Sequence, residues 1–365
     1  LQMRADCLVA VRTHPHLAPV ERDLGHLMAS WFNRGFLSLE RIDWQTPAAV
    51  LEKLIEYEAV HEIRGWDDLQ RRLEADRRCF GFFHPSLPGE PLIFVEVALT
   101  VGLQGSIHAV LDAPVPDVTD DPDDGAYDTA IFYSITNCQV GLRGVPLGNF
   151  LLKRVTDELR TSVPSVRTFS TLSPIPGYVD WVAGSGGGLE TAVAAAVSGG
   201  GRIEDDYRDA VLRSCARYLL YAKRGAQPLD PVARFHLRNG ARVERINWAG
   251  DASPKGIGES YGMLVNYMYE PASLTGNHEA YGQREGLPAN RNGCVVFSTY
   301  RCRLATRQTE SQSDVRNESR KQDHSVDTAE PPIGQQEPKQ DRGPDHDWDI
   351  NADQLLLDEQ WPDER

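Results

Sequence analysis

The stretch TAIFYSITNCQVGLRGVPLGNFLLKRVTDELR, residues Thr129 to Arg160, decides the fold of this chain. It opens with a nearly continuous apolar and β-branched run, Thr129 to Thr136, which predicts a buried strand. A glycine-spaced loop, Gln139 to Gly148, follows, and then a helix from about Pro146 to Arg160. The helical spacing turns five apolar residues inward: Leu147, Phe150, Leu151, Val155 and Leu159. Strand, loop and helix in this order indicate an α/β domain.

The loop between that strand and helix has the chemistry of an anion site. Closely spaced glycines let backbone N–H groups approach a phosphate, and the N-terminus of the following helix adds a favourable partial charge. Arg143 and Lys153 supply positive charge nearby. Because neither GxxxxGK[ST] nor GxGxxG is matched, an ordinary nucleotide site is only weakly supported. At this point a plain structural turn stays open as the alternative.

Helices and strands are predicted on both sides of this unit. Apolar spacing of three and four predicts a helix from Leu17 to Phe32 that ends before Gly35. Thr46 before Pro47 predicts the N-cap of a second helix, and a third is expected from about Trp66 to Arg77. Further strands are predicted at Cys79 to Phe83, Leu92 to Leu99, Arg167 to Leu172, Arg242 to Trp248 and Gly262 to Tyr269. Further helices are predicted at Tyr207 to Arg224 and Pro231 to Leu237, after a glycine-bracketed flexible insertion between Gly184 and Gly201.

Three side chains are candidates for chemistry. Ser173 lies in Ser-Pro-Ile-Pro-Gly after a strand end, where two prolines fix the backbone. Without a GxSxG elbow, a role as hydrolase nucleophile is not supported, and a plain N-cap is the alternative. His236 lies on a short helix and is equally explained as a core histidine. Tyr269 follows Tyr267 on a late strand, where packing is the alternative role.

The net charge of -15 is concentrated in two segments. The tail, Leu304 to Arg365, carries 7 basic and 16 acidic residues, and Asp112 to Asp128 carries 7 aspartates and no basic residue. The remaining body is almost neutral, so an anionic ligand is compatible with it, whereas a general nucleic-acid binder needs a basic footprint. No apolar run approaches the ~20 residues of a membrane-spanning helix. The tail is poor in apolar residues, which predicts disorder.

The cysteines and histidines indicate neither a disulfide framework nor a metal site. The chain has 6 cysteines and no CxxC pair, so free thiols and a reducing compartment are expected: cytoplasm, mitochondrial matrix or peroxisome. The C-terminus is not a Ser-Lys-Leu address. Because the chain opens with Leu1, its true start is expected to lie upstream, with any targeting signal.

Taken together, the residues resemble the malonyl-CoA decarboxylase family, over most of residues 1 to about 290. The matching stretches are WFNRGFLSLERIDW (Trp31 to Trp44), FHPSLPGEPLIFVEVALT (Phe83 to Thr100), AIFYSITNCQVGLRGVPLGNFLLKRV (Ala130 to Val155), TFSTLSPIPGY (Thr168 to Tyr178), CARYLLYAKRGAQPLDPVARFHLRNGARVERINW (Cys215 to Trp248) and DASPKGIGESYGMLVNYMY (Asp251 to Tyr269). These matches are long and in order, and the tail has no counterpart.

The resemblance implies a fold and a reaction. The expected fold is α/β, a GNAT-like acyl-CoA-binding catalytic domain at residues 46–303, preceded by the remnant of an all-α helical domain at 1–45 and followed by the disordered tail at 304–365. The expected reaction converts malonyl-CoA to acetyl-CoA and CO2, and so regulates malonyl-CoA and fatty-acid metabolism. No cofactor or metal is implied. A homo-oligomer is implied, built partly by the helical domain.

The resemblance also assigns roles to residues. Ser173 and His236 become the catalytic pair, with Tyr269 as a helper. The substrate-binding residues are expected in the glycine loop: Gln139, Gly141, Leu142, Arg143, Gly144, Val145 and Gly148. This chain departs from the family at Pro146, where an acid is usual. This departure and the tail leave open a catalytically impaired CoA-binding regulatory protein. A GNAT-type acyltransferase, suggested by the implied fold, is the other alternative.

Overall fold

A computed structural model describes residues 1–114, 125–145, 147–185, 208–282, 294–297 and 301–303. Several sequence-based predictions fall outside these residues. They are nearly all of the insertion between Gly184 and Gly201, the central part of the acidic stretch after Asp112, the position of Pro146, and the tail from Leu304 onward.

Two helices open the chain, α1 at Gln2–Ala10 and α2 at Ala18–Trp31. The second confirms the helix predicted between Leu17 and Phe32, and Leu24 and Met28 are its buried residues. The two helices pack against each other, and both also contact a 3-10 turn at Val140–Leu142, inside the glycine loop. The N-terminal segment therefore lies against the loop that the sequence singled out.

The next two helices correct two predictions. They are α3 at Ala48–Tyr57 and α4 at Trp66–Arg72. Thr46 is not the N-cap of α3, because Pro47 occupies that position and the Thr46 hydroxyl accepts the N–H of Asp43 at 3.0 Å, closing the preceding turn. The helix α4 ends before the predicted Arg77, because Arg77 already belongs to a strand.

A mixed sheet forms the centre of the molecule, with strand order β1-β2-β3-β4-β5-β9-β8-β10-β11. Its strands are β1 Ser38–Ile42, β2 Arg77–Phe83, β3 Ile93–Thr100, β4 Thr129–Asn137, β5 Thr168–Thr171, β8 Arg242–Asn247, β9 Leu264–Met268, β10 Cys294–Phe297 and β11 Arg301–Arg303. A separate hairpin joins β6 Lys223–Arg224 to β7 Gln227–Pro228. The sequence did not predict strand β1, which pairs with β2. This strand lies before the expected domain boundary at residue 45, and that boundary stays a prediction.

Helices pack around this sheet. They are α5 Ile107–Leu111, α6 Leu147–Ser162, α7 Tyr178–Gly184, α8 Arg208–Tyr221, α9 Pro231–Arg238, α10 Pro254–Ser260 and α11 Leu274–Gly282. Helix α6 buries four of its five predicted inward residues, while Phe150 is partly exposed and stacks on Phe82 at 5.3 Å. Each buried leucine contributes about 2 kcal/mol through the hydrophobic effect. The helices and mixed strands confirm the predicted α/β class.

The strands β4 and β5 diverge, and this divergence positions the site. They pair in parallel only from Thr129 to Phe132 on β4. Beyond Thr171 the chain leaves β4, and Ser173 forms a bridge with Val265 of β9 instead. The strand β4 continues to Asn137. Ser173 therefore lies where the parallel pair has opened, at the start of the Ser-Pro-Ile-Pro-Gly turn.

Candidate active site

Ser173 is held by its backbone and its side chain. Its N–H and C=O both bond to Val265, at 2.9 Å each, and the serine is 6% exposed. Its hydroxyl donates to Thr171 Oγ1 at 2.8 Å. Thr171 Oγ1 in turn accepts the backbone N–H of Tyr267 at 3.1 Å. The backbone of β9 thus holds the side chain of Thr171, and Thr171 in turn holds the hydroxyl of Ser173.

His236 is carried to the same place by α9. Asp230 caps this helix, accepting the N–H of Ala233 at 2.7 Å, and Pro231 follows as its first residue. Such a cap satisfies a helix N–H that has no partner inside the helix, and typically stabilises by ~1 kcal/mol. His236 is 3% exposed, and its ring stacks on Tyr267 with centroids 4.5 Å apart. The imidazole is therefore fixed in both position and orientation.

The two ring nitrogens of His236 have separate hydroxyl partners. Nε2 lies 3.1 Å from Ser173 Oγ, and Nδ1 lies 2.7 Å from the Tyr269 hydroxyl. Because the Ser173 proton is directed to Thr171, Ser173 Oγ accepts from Nε2–H, and Nδ1 then accepts from the Tyr269 hydroxyl. We call Thr171, Ser173, His236 and Tyr269 the hydroxyl–imidazole chain.

The hydroxyl–imidazole chain is uncharged in the free protein. Burial lowers the pKa of His236 from 6.5 to about 3, so the imidazole is neutral at physiological pH. Burial also raises the pKa of Tyr269. A neutral imidazole donates a hydrogen bond through Nε2 and accepts one at Nδ1. The arrangement can therefore hold a polar group by hydrogen bonds and move a proton without breaking an ion pair.

The glycine loop uses several of its own amides. The N–H groups of Leu142, Arg143, Val145 and Leu147 donate within the loop, to the carbonyls of Gln139, Val140, Leu142 and Val145 respectively. These four amides already have hydrogen-bond acceptors, so fewer loop amides are available to bind an anion. Gly144 has φ +85°, a conformation that favours glycine.

The end of the loop packs against the helix that carries His236. A Cβ at Gly148 would come within 2.8 Å of the ring of Phe235, so glycine lets the ring approach the loop without a shift. Phe235 directly precedes His236. The predicted catalytic residues Ser173, His236 and Tyr269 are thus brought together, and Gly148 of the predicted binding loop lies against α9, the helix that carries His236.

Sequence reasoning missed three residues of this region. Thr171 precedes Ser173 by two positions on the extended chain, a spacing that puts both side chains on one side and could have revealed it. Tyr267 was noted only as a packing residue, yet its ring stacks on His236 and its N–H anchors Thr171. Arg4, which binds the loop from α1, carries no sequence signal that points to it.

Comparisons with known proteins agree with this architecture. The family model for the malonyl-CoA decarboxylase C-terminal domain matches residues 35–295, and the model for the N-terminal domain of the same family matches residues 1–32. The mitochondrial malonyl-CoA decarboxylase of Anser anser anser is 40% identical over 298 residues, which cover 73% of this chain and 59% of that protein. The chain thus spans about three fifths of the length of its curated relatives.

Solved structures show the same relation. The crystal structure of malonyl-CoA decarboxylase from Rhodopseudomonas palustris matches with a TM-score of 0.73 and 45% identity, covering 80% of this chain and 73% of that one. The enzyme from Agrobacterium vitis matches with a TM-score of 0.71 and 45% identity, covering 79% and 73%. The mixed sheet with its packed helices and this structural match confirm the predicted α/β fold class.

Proposed function

The chain belongs to the malonyl-CoA decarboxylase family, and from that premise we propose that it converts malonyl-CoA to acetyl-CoA and CO2. The observation that carries the proposal is the hydroxyl–imidazole chain, buried where β4 and β5 diverge and adjoining the glycine loop through Gly148. A decarboxylase acting on a thioester needs hydrogen-bond donors for a developing oxyanion and a proton for carbon. The hydroxyl–imidazole chain supplies both the hydrogen-bond donors and the proton.

The reaction breaks one carbon–carbon bond. The electron pair of the bond between the malonyl methylene carbon and its carboxylate moves toward the thioester carbonyl, which becomes an enolate as CO2 leaves. A proton then adds to that carbon and gives acetyl-CoA. Substrate and products balance with one proton taken up, and the thioester itself accepts the electrons.

Ser173 and His236 are proposed to hydrogen-bond the malonyl group, and His236 to help deliver the proton. The free imidazole is neutral, with its pKa lowered to about 3 by burial. A bound carboxylate or enolate places negative charge beside it and raises that pKa again, because an opposite charge favours the protonated ring. Tyr269 acts as a helper by holding Nδ1. The buried setting also disfavours the malonyl carboxylate relative to the less charged CO2.

The substrate's CoA portion is proposed to bind the loop from Gln139 to Gly148. Its pyrophosphate is an anion, and backbone N–H groups of a glycine-rich turn suit an anion. Four loop amides donate within the loop, and the amide of Gly144, at a left-handed φ, is the proposed donor to the pyrophosphate. The proposal thus places one end of the ligand at the loop and the other at Ser173 and His236.

The test is a decarboxylation assay on the purified chain, with CO2 and acetyl-CoA measured from malonyl-CoA. We expect turnover by the parent and a large loss in His236→Ala and Ser173→Ala. If both variants turn over malonyl-CoA as fast as the parent, the residue assignment is wrong. A parent that releases no CO2 but acetylates an amine would favour the acyltransferase alternative.

Pro146 favours one second candidate, an impaired CoA-binding regulatory protein. The family resemblance implies an acid at this position that orients the catalytic network, and this chain has Pro146 instead. Such a protein would bind CoA in calorimetry without turnover. The variant Pro146→Glu restores the acid, and a large gain of activity would identify a damaged decarboxylase.

Assembly and compartment are further proposals. A homo-oligomer built partly by the helical segment follows from the family resemblance. The curated relatives are named mitochondrial, which makes the mitochondrial matrix one of the reducing compartments we propose. Among the described residues, none of the helices has the length and apolar character to cross a membrane.

A further inference from the structure

One buried arginine ties the N-terminal helices to the glycine loop. Arg4 of α1 is 5% exposed. Its Nη1 donates to the carbonyl oxygens of Gly141 at 2.9 Å and Arg143 at 2.7 Å. Its Nη2 pairs with Glu21 of α2 at 2.8 Å. A single guanidinium therefore joins both helices to two peptide groups of the loop.

Holding the Arg143 carbonyl also fixes the amide that follows it. In a trans peptide the C=O of one residue and the N–H of the next point in opposite directions, and the described chain has no cis peptide. The N–H of Gly144 therefore points away from Arg4, toward the opposite side of the loop. The left-handed φ of Gly144, +85°, lets the backbone adopt this turn.

The other peptide held by Arg4 behaves differently. The carbonyl of Gly141 is followed by the N–H of Leu142, and that N–H donates to the Gln139 carbonyl at 2.9 Å. It is thus engaged inside the loop. Of the two peptides that Arg4 orients, the one between Arg143 and Gly144 is the one whose amide suits an external anion.

The charge of Arg4 also affects the strength of that amide. A cation at a carbonyl oxygen polarises the peptide and makes its N–H a stronger donor, because hydrogen bonds along a chain reinforce one another. A donor of this kind forms its strongest bonds with ionised acceptors such as phosphate oxygens. Arg4 therefore both orients and polarises the peptide between Arg143 and Gly144, and both effects favour a hydrogen bond from the Gly144 N–H to an anion.

We infer that Arg4 is a positioning residue that aims the Gly144 N–H at the pyrophosphate of the CoA substrate. Arg4 touches peptide carbonyls, and it acts on the substrate through the loop. The inference rests on the proposed function. It assigns to the N-terminal helical segment a part in substrate affinity.

A purely structural role is the competing explanation, and the chain offers a matched control. Arg71 of α4 pairs with both carboxylate oxygens of Asp76, at 2.8 and 2.9 Å, and donates to the carbonyls of Ala113 at 2.9 Å and Pro114 at 3.3 Å. It is 14% exposed. Like Arg4, it joins one carboxylate to two peptide carbonyls, and none of its partners belongs to the glycine loop.

The experiment compares Arg4→Gln with Arg71→Gln in the full chain. Acetyl-CoA affinity is measured by calorimetry, malonyl-CoA turnover by steady-state kinetics, and stability by thermal unfolding. We expect Arg4→Gln to raise the Kd and the KM about tenfold, the effect of one charge-assisted hydrogen bond. Its kcat should stay within about threefold of the parent. Arg71→Gln should lose similar stability with unchanged Kd, and Arg4→Lys should restore part of the affinity.

The outcomes separate this inference from the proposed function. Arg4→Gln binding acetyl-CoA as tightly as the parent, or both glutamine variants losing affinity equally, overturns the inference. A parent that binds acetyl-CoA without releasing CO2 overturns decarboxylation alone, because the Kd comparison still stands. A parent that binds no acetyl-CoA overturns both. Where Arg4→Gln does not fold, Arg4→Lys and Glu21→Gln replace it, and unchanged Kd in both overturns the inference.

Discussion

The hydroxyl–imidazole chain and a second buried polar group, the carboxylate cluster, satisfy their hydrogen bonds in different ways. The carboxylate cluster consists of Glu58, Arg72, Glu96, Ser134 and Thr136. Glu58 accepts from the hydroxyls of Ser134 at 2.8 Å and Thr136 at 3.1 Å, and Arg72 pairs with Glu96 at 3.1 Å. All five are buried, as are the members of the hydroxyl–imidazole chain.

The difference lies in charge. In the carboxylate cluster the buried Arg72 guanidinium pairs with Glu96 and also with Asp68, so removing Arg72 leaves Glu96 in the core without its cation. The hydroxyl–imidazole chain contains neutral groups, and His236 has hydroxyl partners at both nitrogens. A proton can move along such a chain without uncovering a buried charge. We therefore expect the first group to control stability and the second to control turnover.

The largest expected effect is on catalysis. His236→Gln keeps a side chain of similar reach but removes the group that donates and accepts protons. Loss of general acid–base catalysis and an oxyanion donor should lower kcat about 10³-fold. The measurement is acetyl-CoA formation at saturating malonyl-CoA. A variant with the parent's kcat would place the chemistry elsewhere.

The opposite result is expected in the carboxylate cluster. Arg72→Met leaves the Glu96 carboxylate without its cation and should destabilise the fold by about 3 kcal/mol. Chemical denaturation measures this change. The kcat per folded molecule should stay within about threefold of the parent, because Arg72 contacts no member of the hydroxyl–imidazole chain. A large fall in kcat with unchanged stability would reverse the comparison.

Acid should destabilise the parent through His236. Its folded-state pKa of about 3 lies below the ordinary 6.5, because burial opposes protonation. The contribution of the neutral His236 to the free energy of unfolding is complete above pH 6.5 and is lost as the pH falls toward 3. From about pH 7 to about pH 5 the parent should lose about 2 kcal/mol more than His236→Gln. Unfolding free energies measured at both pH values check this, and equal losses would contradict the depressed pKa.

The smallest effect is expected at Tyr269. Tyr269→Phe keeps the ring and removes the hydroxyl that holds Nδ1. The imidazole should then lose its fixed tautomer and orientation, with a fall in kcat of about tenfold. The KM should change little, since Tyr269 is proposed to touch the imidazole and not the CoA. Kinetics that show a KM effect alone would assign Tyr269 to substrate binding instead.

The sequence predicted the parts of the site better than their contacts. The strand, loop and helix from Thr129 to Arg160 follow from local periodicity, and the structure confirms them. Ser173 and His236 were named through their motifs, but their contact joins residues 63 positions apart. It depends on the bridge from Ser173 to Val265, which no local pattern specifies.

Buried charges were harder to predict than the apolar core. Glu96 interrupts an apolar strand, and that interruption was a signal that a cation must lie nearby; its partner Arg72 comes from a helix 24 positions away. Glu58 follows the last residue of α3, and its side chain turns into the core. Arg4 lies on a helix of weak amphipathicity, so only the packed structure reveals its contact with the loop.

A matched pair of buried serines tests the central claim most directly. Ser173 belongs to the hydroxyl–imidazole chain and is 6% exposed, and Ser134 belongs to the carboxylate cluster and is 2% exposed. The measurement is kcat for malonyl-CoA decarboxylation in Ser173→Ala and Ser134→Ala. The account predicts a fall of about 10²-fold for Ser173→Ala and less than about threefold for Ser134→Ala, which should lose about 1 kcal/mol of stability instead. Equal kcat values in the two variants would contradict it.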